Sequence, residues 1–299
     1  VAAMGDEAAE AFVDFFTAQI RNPNTRAAYG RAVMSFLTWA EGRGVSLPTV
    51  RAFHVAGYIE ELGATRSVST VKQHLAAIRC LCDFLVIRQV LPRNPATEVR
   101  GPKLVTRTGK TPVLSGPEAR ELFNSIDITT PAGLRDRALL GAMIYTFGRI
   151  SAVLGMDLGD YFQVGRAMKL RLKEKGGVQS DTPAHHTLVE YMDAYLAELG
   201  AEDGPLFRTI NQRRTGFTSN RLQREEAWAM VKRRTKAAGL GDRFSNHTFR
   251  GTGITAYLAN DGRLEQAQIM ANHASPTTTR LYDRRDQEAS LDEVERIIL

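Results

Sequence analysis

The sequence predicts a mainly α protein with a small β-sheet, arranged as two domains joined by a basic linker. Three observations carry that expectation. The chain has 299 residues, room for about two domains at roughly 150 residues each. Apolar residues recur at helical spacing along most of it, whereas strict alternation appears at Met168, Leu170 and Leu172 between Lys169, Arg171 and Lys173. Prolines and basic residues concentrate in one stretch, residues 93–112.

Phe12 to Ile20 reads as a first helix. From Thr25, the spacing of Tyr29, Val33, Phe36, Leu37 and Ala40 predicts a second, which Gly42 and Gly44 stop. Val50 to Leu62 gives a third. A fourth, from about Ser69, sets Val71, Leu75, Ile78, Cys82 and Leu85 on one face. Residues 1–92 are therefore expected to form a helical bundle. The linker over 93–112 holds Arg93, Arg100, Lys103, Arg107 and Lys110 against Glu98 alone, among Pro95, Pro102 and Pro112.

The second domain, 113–285, opens with Ser115-Gly-Pro-Glu118, a capping box with proline in the first turn. A helix from about Leu134 to Phe147 follows. The alternating strand ends at Lys175-Gly176-Gly177, whose glycine pair predicts a hairpin. Residues 187–199, 221–238 and 248–272 read as further helices, and Ser275-Pro276 starts a short one. In the tail, 286–299, Ser290-Leu-Asp-Glu293 is a second capping box, and Leu291, Val294, Ile297 and Ile298 share a face.

Composition excludes several classes. Apolar residues make up 43% and charged residues 24%, values of a globular rather than a disordered chain. The best charge-free run, Ala138 to Gly148, is too short for a membrane span. Asp6, Glu7 and Glu10 do not fit a signal peptide, so a cytoplasmic location with no membrane partner is expected. Cys80 and Cys82 point to different faces of one helix, which suits neither a disulfide nor zinc. Residues 1–112 carry 14 basic and 9 acidic side chains, residues 113–285 carry 24 and 19, and the last 14 residues one and five. Two basic bodies and an acidic tail suit a nucleic-acid partner.

Several residues could carry chemistry. His247-Thr-Phe-Arg250 places an imidazole and a guanidinium three residues apart on one helix face. The guanidinium fork matches two phosphate oxygens, and histidine moves protons near neutral pH. Downstream, Asn272-His273 precedes Ser275-Pro276, and Tyr282 is expected about two turns into the short helix, within reach of His273. His185 and His186 form a pair without a spaced third ligand, so no metal site is expected.

The order Gly148-Arg149-Ile150-Ser151, Lys175 on a glycine hairpin, His247-x-x-Arg250, His273 and then Tyr282 resembles the catalytic set of the tyrosine recombinase (phage integrase, Xer-like) family, as found on mobile elements. Asn22, Thr25, Tyr29, Phe36, Leu37 and Trp39 resemble the start of that family's helical domain. The resemblance implies a helical core-binding domain followed by an α+β catalytic domain. It implies a site-specific recombinase that breaks and rejoins DNA through a 3′-phosphotyrosine, for integration, excision or cointegrate resolution. Arg149 and Arg250 would then grip the scissile phosphate and Lys175 would protonate the leaving 5′-oxygen. His247 would act as acid/base, His273 would hydrogen-bond the phosphate, and Tyr282 would attack it. Two fixed guanidiniums supply the charge stabilisation that other enzymes take from magnesium, so no cofactor or metal is called for.

Partners implied are double-stranded DNA and further copies of the chain, a tetramer on two duplexes held through the C-terminal helix, with a helix folded back in cis on its own domain as the alternative; need for an accessory protein stays open. The sequence departs from the family pattern in places. Where an acidic residue commonly stands three positions after the first arginine, this chain has Ala152, which leaves Asp157 as the suggested support for Arg149. Gly251 stands where a histidine is frequent, and Lys173 is the runner-up for Lys175.

Overall fold

A computed structural model describes residues 14–16, 20–103, 109–174 and 177–285. The chain divides into two compact units, Val1–Val105 and Thr106–Leu299.

In the first unit, helices α1 (Pro23–Glu41), α2 (Ala52–Thr65) and α3 (Val68–Ile87) form the bundle. Helices α1 and α3 begin at side-chain caps. Asn22 Oδ1 accepts from the backbone N–H groups of Asn24 (3.0 Å) and Thr25 (3.2 Å), and Pro23 needs no donor at the first helical position. Ser67 caps α3 through Thr70. The apolar stripe of α3 is buried as its spacing predicts, from Val71 through Leu75, Ile78 and Cys82 to Leu85. Burial pushes the Cys82 thiol up to about 12, with Asp83 adding to the effect, so it stays protonated and acts as a small apolar group. Most of the helix expected over 12–20 lies outside the described residues.

The stretch expected to link the domains is shared between them. Ala96 and Val99 are buried in the bundle core, and Arg79 donates to both their carbonyls, at 3.1 Å to Ala96. Asn94 Nδ2 donates to the Arg79 carbonyl and to Asp83. Further on, the Gly109 N–H donates to the Leu281 carbonyl at 2.8 Å, inside the second unit. Proline excluded helix here, but apolar residues every few positions still docked the chain.

The second unit is built around α5 (Pro131–Tyr145), with α4 (Gly116–Asn124) before it and the short α6 (Ile150–Leu154) after it. The capping box at Ser115 and Glu118 forms, with the Glu118 carboxylate accepting from the Ser115 N–H at 2.8 Å. Ala138 to Met143 are buried in succession, so the charge-free run is a core helix. It packs against α7 (His186–Leu199) and α9 (Asn246–Ala259). Gly253 permits the second contact: a Cβ there would lie 2.0 Å from the Ile144 carbonyl oxygen. Asp136, fully buried, accepts from Arg135 at 2.6 Å and Arg234 at 2.9 Å.

Strands β1 (Tyr161–Val164), β2 (Ala167–Lys173) and β3 (Gln179–Pro183) form an antiparallel sheet in that order. Leu170 and Leu172 point into the core while Lys173 points out. A separate hairpin, β4 (Arg208–Ile210) and β5 (Phe217–Arg221), precedes α8 (Arg224–Ala237). Because β5 runs through Arg221, the helix expected from 221 starts at Arg224. The helix expected over 248–272 is two, α9 and α10 (Leu264–Met270), broken where Asp261 takes a left-handed φ of 60° before Gly262. The last described elements are α11 (Pro276–Arg280) and the turn that follows it. The tail, 286–299, with its expected helix, lies outside the described residues. Among the described residues no helix is long and apolar enough to cross a membrane.

Candidate active site

Five of the six residues singled out by sequence converge in the second unit. Arg149 sits just before α6, His247 and Arg250 on the first turns of α9, and His273 in the turn after α10. Tyr282 lies in the turn beyond α11 rather than inside a helix, because α11 ends at Arg280; its N–H donates to the Thr279 carbonyl at 3.0 Å.

Helix C-termini hold the two arginines. Arg250 is 1% exposed, and it donates to the carbonyls of Phe147, past the end of α5, and Ala271, past the end of α10. Its Nε has no hydrogen-bond partner among the described residues. Arg149 donates to the next carbonyl, that of Asn272, at 3.3 Å. Phe147 and Asn272 both adopt positive φ, 54° and 46°. Such backbone is costly for a residue as bulky as phenylalanine, and at both positions it lies beside a carbonyl that receives a guanidinium.

Arg149 is supported by Glu174, not by Asp157. Its Nη1 donates to Glu174 Oε2 at 2.5 Å, and that carboxylate is 3% exposed. Asp157 instead accepts from Arg221, across from β5. The register of β2 explains the exchange: Lys173 faces out, so the next residue turns in beneath Arg149.

The Tyr282 hydroxyl is 3.1 Å from His247 Nε2. Its ring stacks on His273, with centroids 6.1 Å apart and planes 12° from parallel. His273 Nδ1 is 2.9 Å from Thr279 Oγ1, on α11. Sequence reasoning passed over Thr279, one of three consecutive threonines with nothing in their spacing to single it out. Burial lowers the pKa of His247, and the charges of Arg250 and Arg149 lower it further. The same causes, with His247 added, bring His273 to about 4. Both imidazoles are therefore neutral at pH 7 and able to accept protons. Burial, then Arg149, brings Arg250 down to about 10, opposed by Glu174; it remains a cation at neutral pH.

Lys175 lies outside the described residues. The runner-up, Lys173, has its Nζ 3.1 Å from Asp160 on the outer side of the sheet. His185 is stacked on Tyr145 at 4.5 Å and accepts from the Thr187 N–H. A cleft of about 840 Å³ is lined by Arg149, His247 and Arg250 together with Arg224, Trp228 and Asn246.

Residues 112–289 match the model of the phage integrase family, and residues 10–89 that of the phage integrase N-terminal SAM-like domain. The chain belongs to the phage integrase family. It is 30% identical over 274 residues to the tyrosine recombinase XerD of Corynebacterium glutamicum, covering 87% of this chain and 86% of that protein. With XerD of Chlorobaculum tepidum it shares 28% over 93% of its length and 91% of that protein's. In fold it is similar to a lambda integrase dimer bound to a COC′ core site, with a TM-score of 0.71 at 17% identity over 96% of this chain and 79% of that one. It is likewise similar to XerH bound to a difH substrate, with a TM-score of 0.70 at 16% identity over 97% and 83%. The mainly α architecture with its small sheets is that of these recombinases, and the chain is a tyrosine-type site-specific DNA recombinase.

Proposed function

We propose that Tyr282 is the nucleophile of this recombinase and that Arg149, Arg250, His247 and His273 assemble the scissile phosphate around it. The observation that carries the reading is the 3.1 Å approach of the Tyr282 hydroxyl to a neutral His247, beside two arginines. The phenol gives its proton to His247 Nε2 as its oxygen attacks phosphorus, and the 5′-oxygen leaves. The DNA 3′-phosphate is then esterified to tyrosine. Negative charge grows on the phosphoryl oxygens in the transition state, where Arg149 and Arg250 stabilise it. Lys175 is assigned the proton donor to the leaving oxygen. Attack by a free 5′-hydroxyl on the ester reverses each step, so rejoining uses the energy kept in that bond.

The basic surface of both units suits double-stranded DNA. The tail, 286–299, is assigned an apolar docking helix that joins protomers into a tetramer on two duplexes, placing the protein on the nucleoid within the cytoplasm. Duplexes selected by the full chain from a randomised pool, nicked close to the cut so that the short product diffuses away, test the chemistry. A protein–DNA adduct on denaturing gels supports the reading; its absence, or its persistence in Tyr282→Phe, defeats it.

A further inference from the structure

We propose that Glu174 is the positioning residue of Arg149, a salt-bridging carboxylate supplied from the end of β2. The proposal rests on the reading of Arg149 as a phosphate ligand. Glu174 Oε2 accepts from Arg149 Nη1 at 2.5 Å with its side chain 3% exposed, whereas the Arg149 side chain is 35% exposed. One end of the pair is thus sealed in the protein and the other opens on the cleft.

Asymmetric burial decides what the pair does. Removing Arg149 from Glu174 would leave an isolated charge in a low-dielectric site, a loss larger than a surface pair could return. The pair therefore persists when a phosphate arrives. With Nη1 on Glu174 and Nη2 on the Asn272 carbonyl, the guanidinium plane is fixed at two points, and its remaining N–H groups can reach substrate. Among the described residues, Glu174 is the acid in a salt bridge with Arg149. Asp157 is engaged by Arg221 and Asp160 by Lys173, while α6 offers only Ala152 on the arginine's own helix.

Glu174→Gln keeps the shape and one acceptor oxygen but removes the charge. In the full-length chain, on the nicked duplex described above, it should slow adduct formation about 10- to 100-fold, the scale of a misplaced catalytic group. The dissociation constant for the same duplex should stay within about three-fold, since the buried carboxylate touches no DNA. Glu174→Asp, which restores the charge one methylene short, should recover part of the rate. The decisive measurement is coupling: in an Arg149→Ala background, Glu174→Gln should add less than about a two-fold loss, because its effect passes through the absent guanidinium. Equal losses with and without Arg149 would make Glu174 a structural residue and overturn the proposal. A faster Glu174→Gln enzyme would do the same, showing that the carboxylate holds the arginine away from substrate. A fully active Arg149→Ala enzyme would instead defeat the underlying assignment of Arg149.

Discussion

The Tyr282 hydroxyl meets His247 Nε2 at 3.1 Å, joining a turn after α11 to the first turn of α9. The contact spans 35 residues of sequence, and the ring that makes it is only 6% exposed. The proposed nucleophile is therefore docked on its own unit, beside the imidazole proposed as its base.

Tyr282→Phe should abolish adduct formation and leave DNA affinity within about two-fold. The ring keeps its stack on His273, and one hydrogen bond, on the order of 1 kcal/mol, is lost. Denaturing gels and mobility shifts on one duplex check both halves.

The arginines should separate in a stability measurement although the proposed mechanism uses both for cleavage. Arg250 is 1% exposed and ties the ends of α5 and α10 together, so Arg250→Ala leaves a void and two carbonyls short of donors. Its melting temperature should fall by several degrees. Arg149→Ala should cut cleavage by orders of magnitude, and Arg149→Lys should restore little because a point charge cannot span two acceptors. Cleavage by the wild type should continue in EDTA, since the guanidiniums carry the charge stabilisation; loss in EDTA with recovery in magnesium would contradict it.

How much of this was written legibly in the sequence follows from range. Helices with a cap and a stripe, such as α1 and α3, could be read because the signal repeats every three or four residues. β1, β4 and β5 have five residues or fewer and show no alternation long enough to register. The HxxR spacing marks one helix face, so His247 and Arg250 were recoverable together. The Glu174 contact was not. It depends on which side of β2 an odd-numbered lysine faces, and Asp157, nearer to Arg149 in sequence, was drawn off by Arg221 from β5, a strand the sequence did not reveal. The docking of Ala96 and Val99 was hidden for a similar reason, because a proline-rich stretch shows only that it is not helical.

Acid should weaken both fold and activity. The pKa of His273 falls to about 4 and that of His247 is lowered, each first by burial. The unfolded chain binds these protons near pH 6.5, before the folded one does, so stability is highest above that pH and falls as pH drops towards about 4. Cleavage should fall in the same direction as His247 loses its free lone pair. Thermal melts of wild type and His273→Gln compared at pH 7 and 5 check the sign: the variant should lose less on acidification.

Asp136 should be the most costly single charge to remove in the second unit. It is fully buried and accepts from Arg135 and Arg234, so Asp136→Ala strands a buried guanidinium, Arg135 being 4% exposed. A loss of about 3–5 kcal/mol follows. Asp136→Leu should be no better, because it fills space without answering either cation. A melting temperature within about two degrees of wild type would contradict this.

Gly251 offers a test of the nucleophile's seat that leaves every reacting group in place. A Cβ at this position would stand 3.0 Å from Tyr282 Cε1 and 3.1 Å from Val113 Cγ1, closer than carbon atoms rest at optimal separation. Gly251 is on α9 with an ordinary helical backbone, so alanine there would gain helix propensity of about 1 kcal/mol, and the helix itself would not object. The added methyl meets both groups, so each must give by a few tenths of an ångström. Displacing the ring disturbs its stack on His273 and the 3.1 Å contact of its hydroxyl with His247. We therefore expect Gly251→Ala to slow adduct formation about 10-fold, as a sub-ångström misplacement of the hydroxyl from His247 would, with little change in melting temperature. Gly251→Val should be worse in both respects. If Gly251→Ala cleaves as fast as wild type, the seat observed for Tyr282 is not the one from which it attacks.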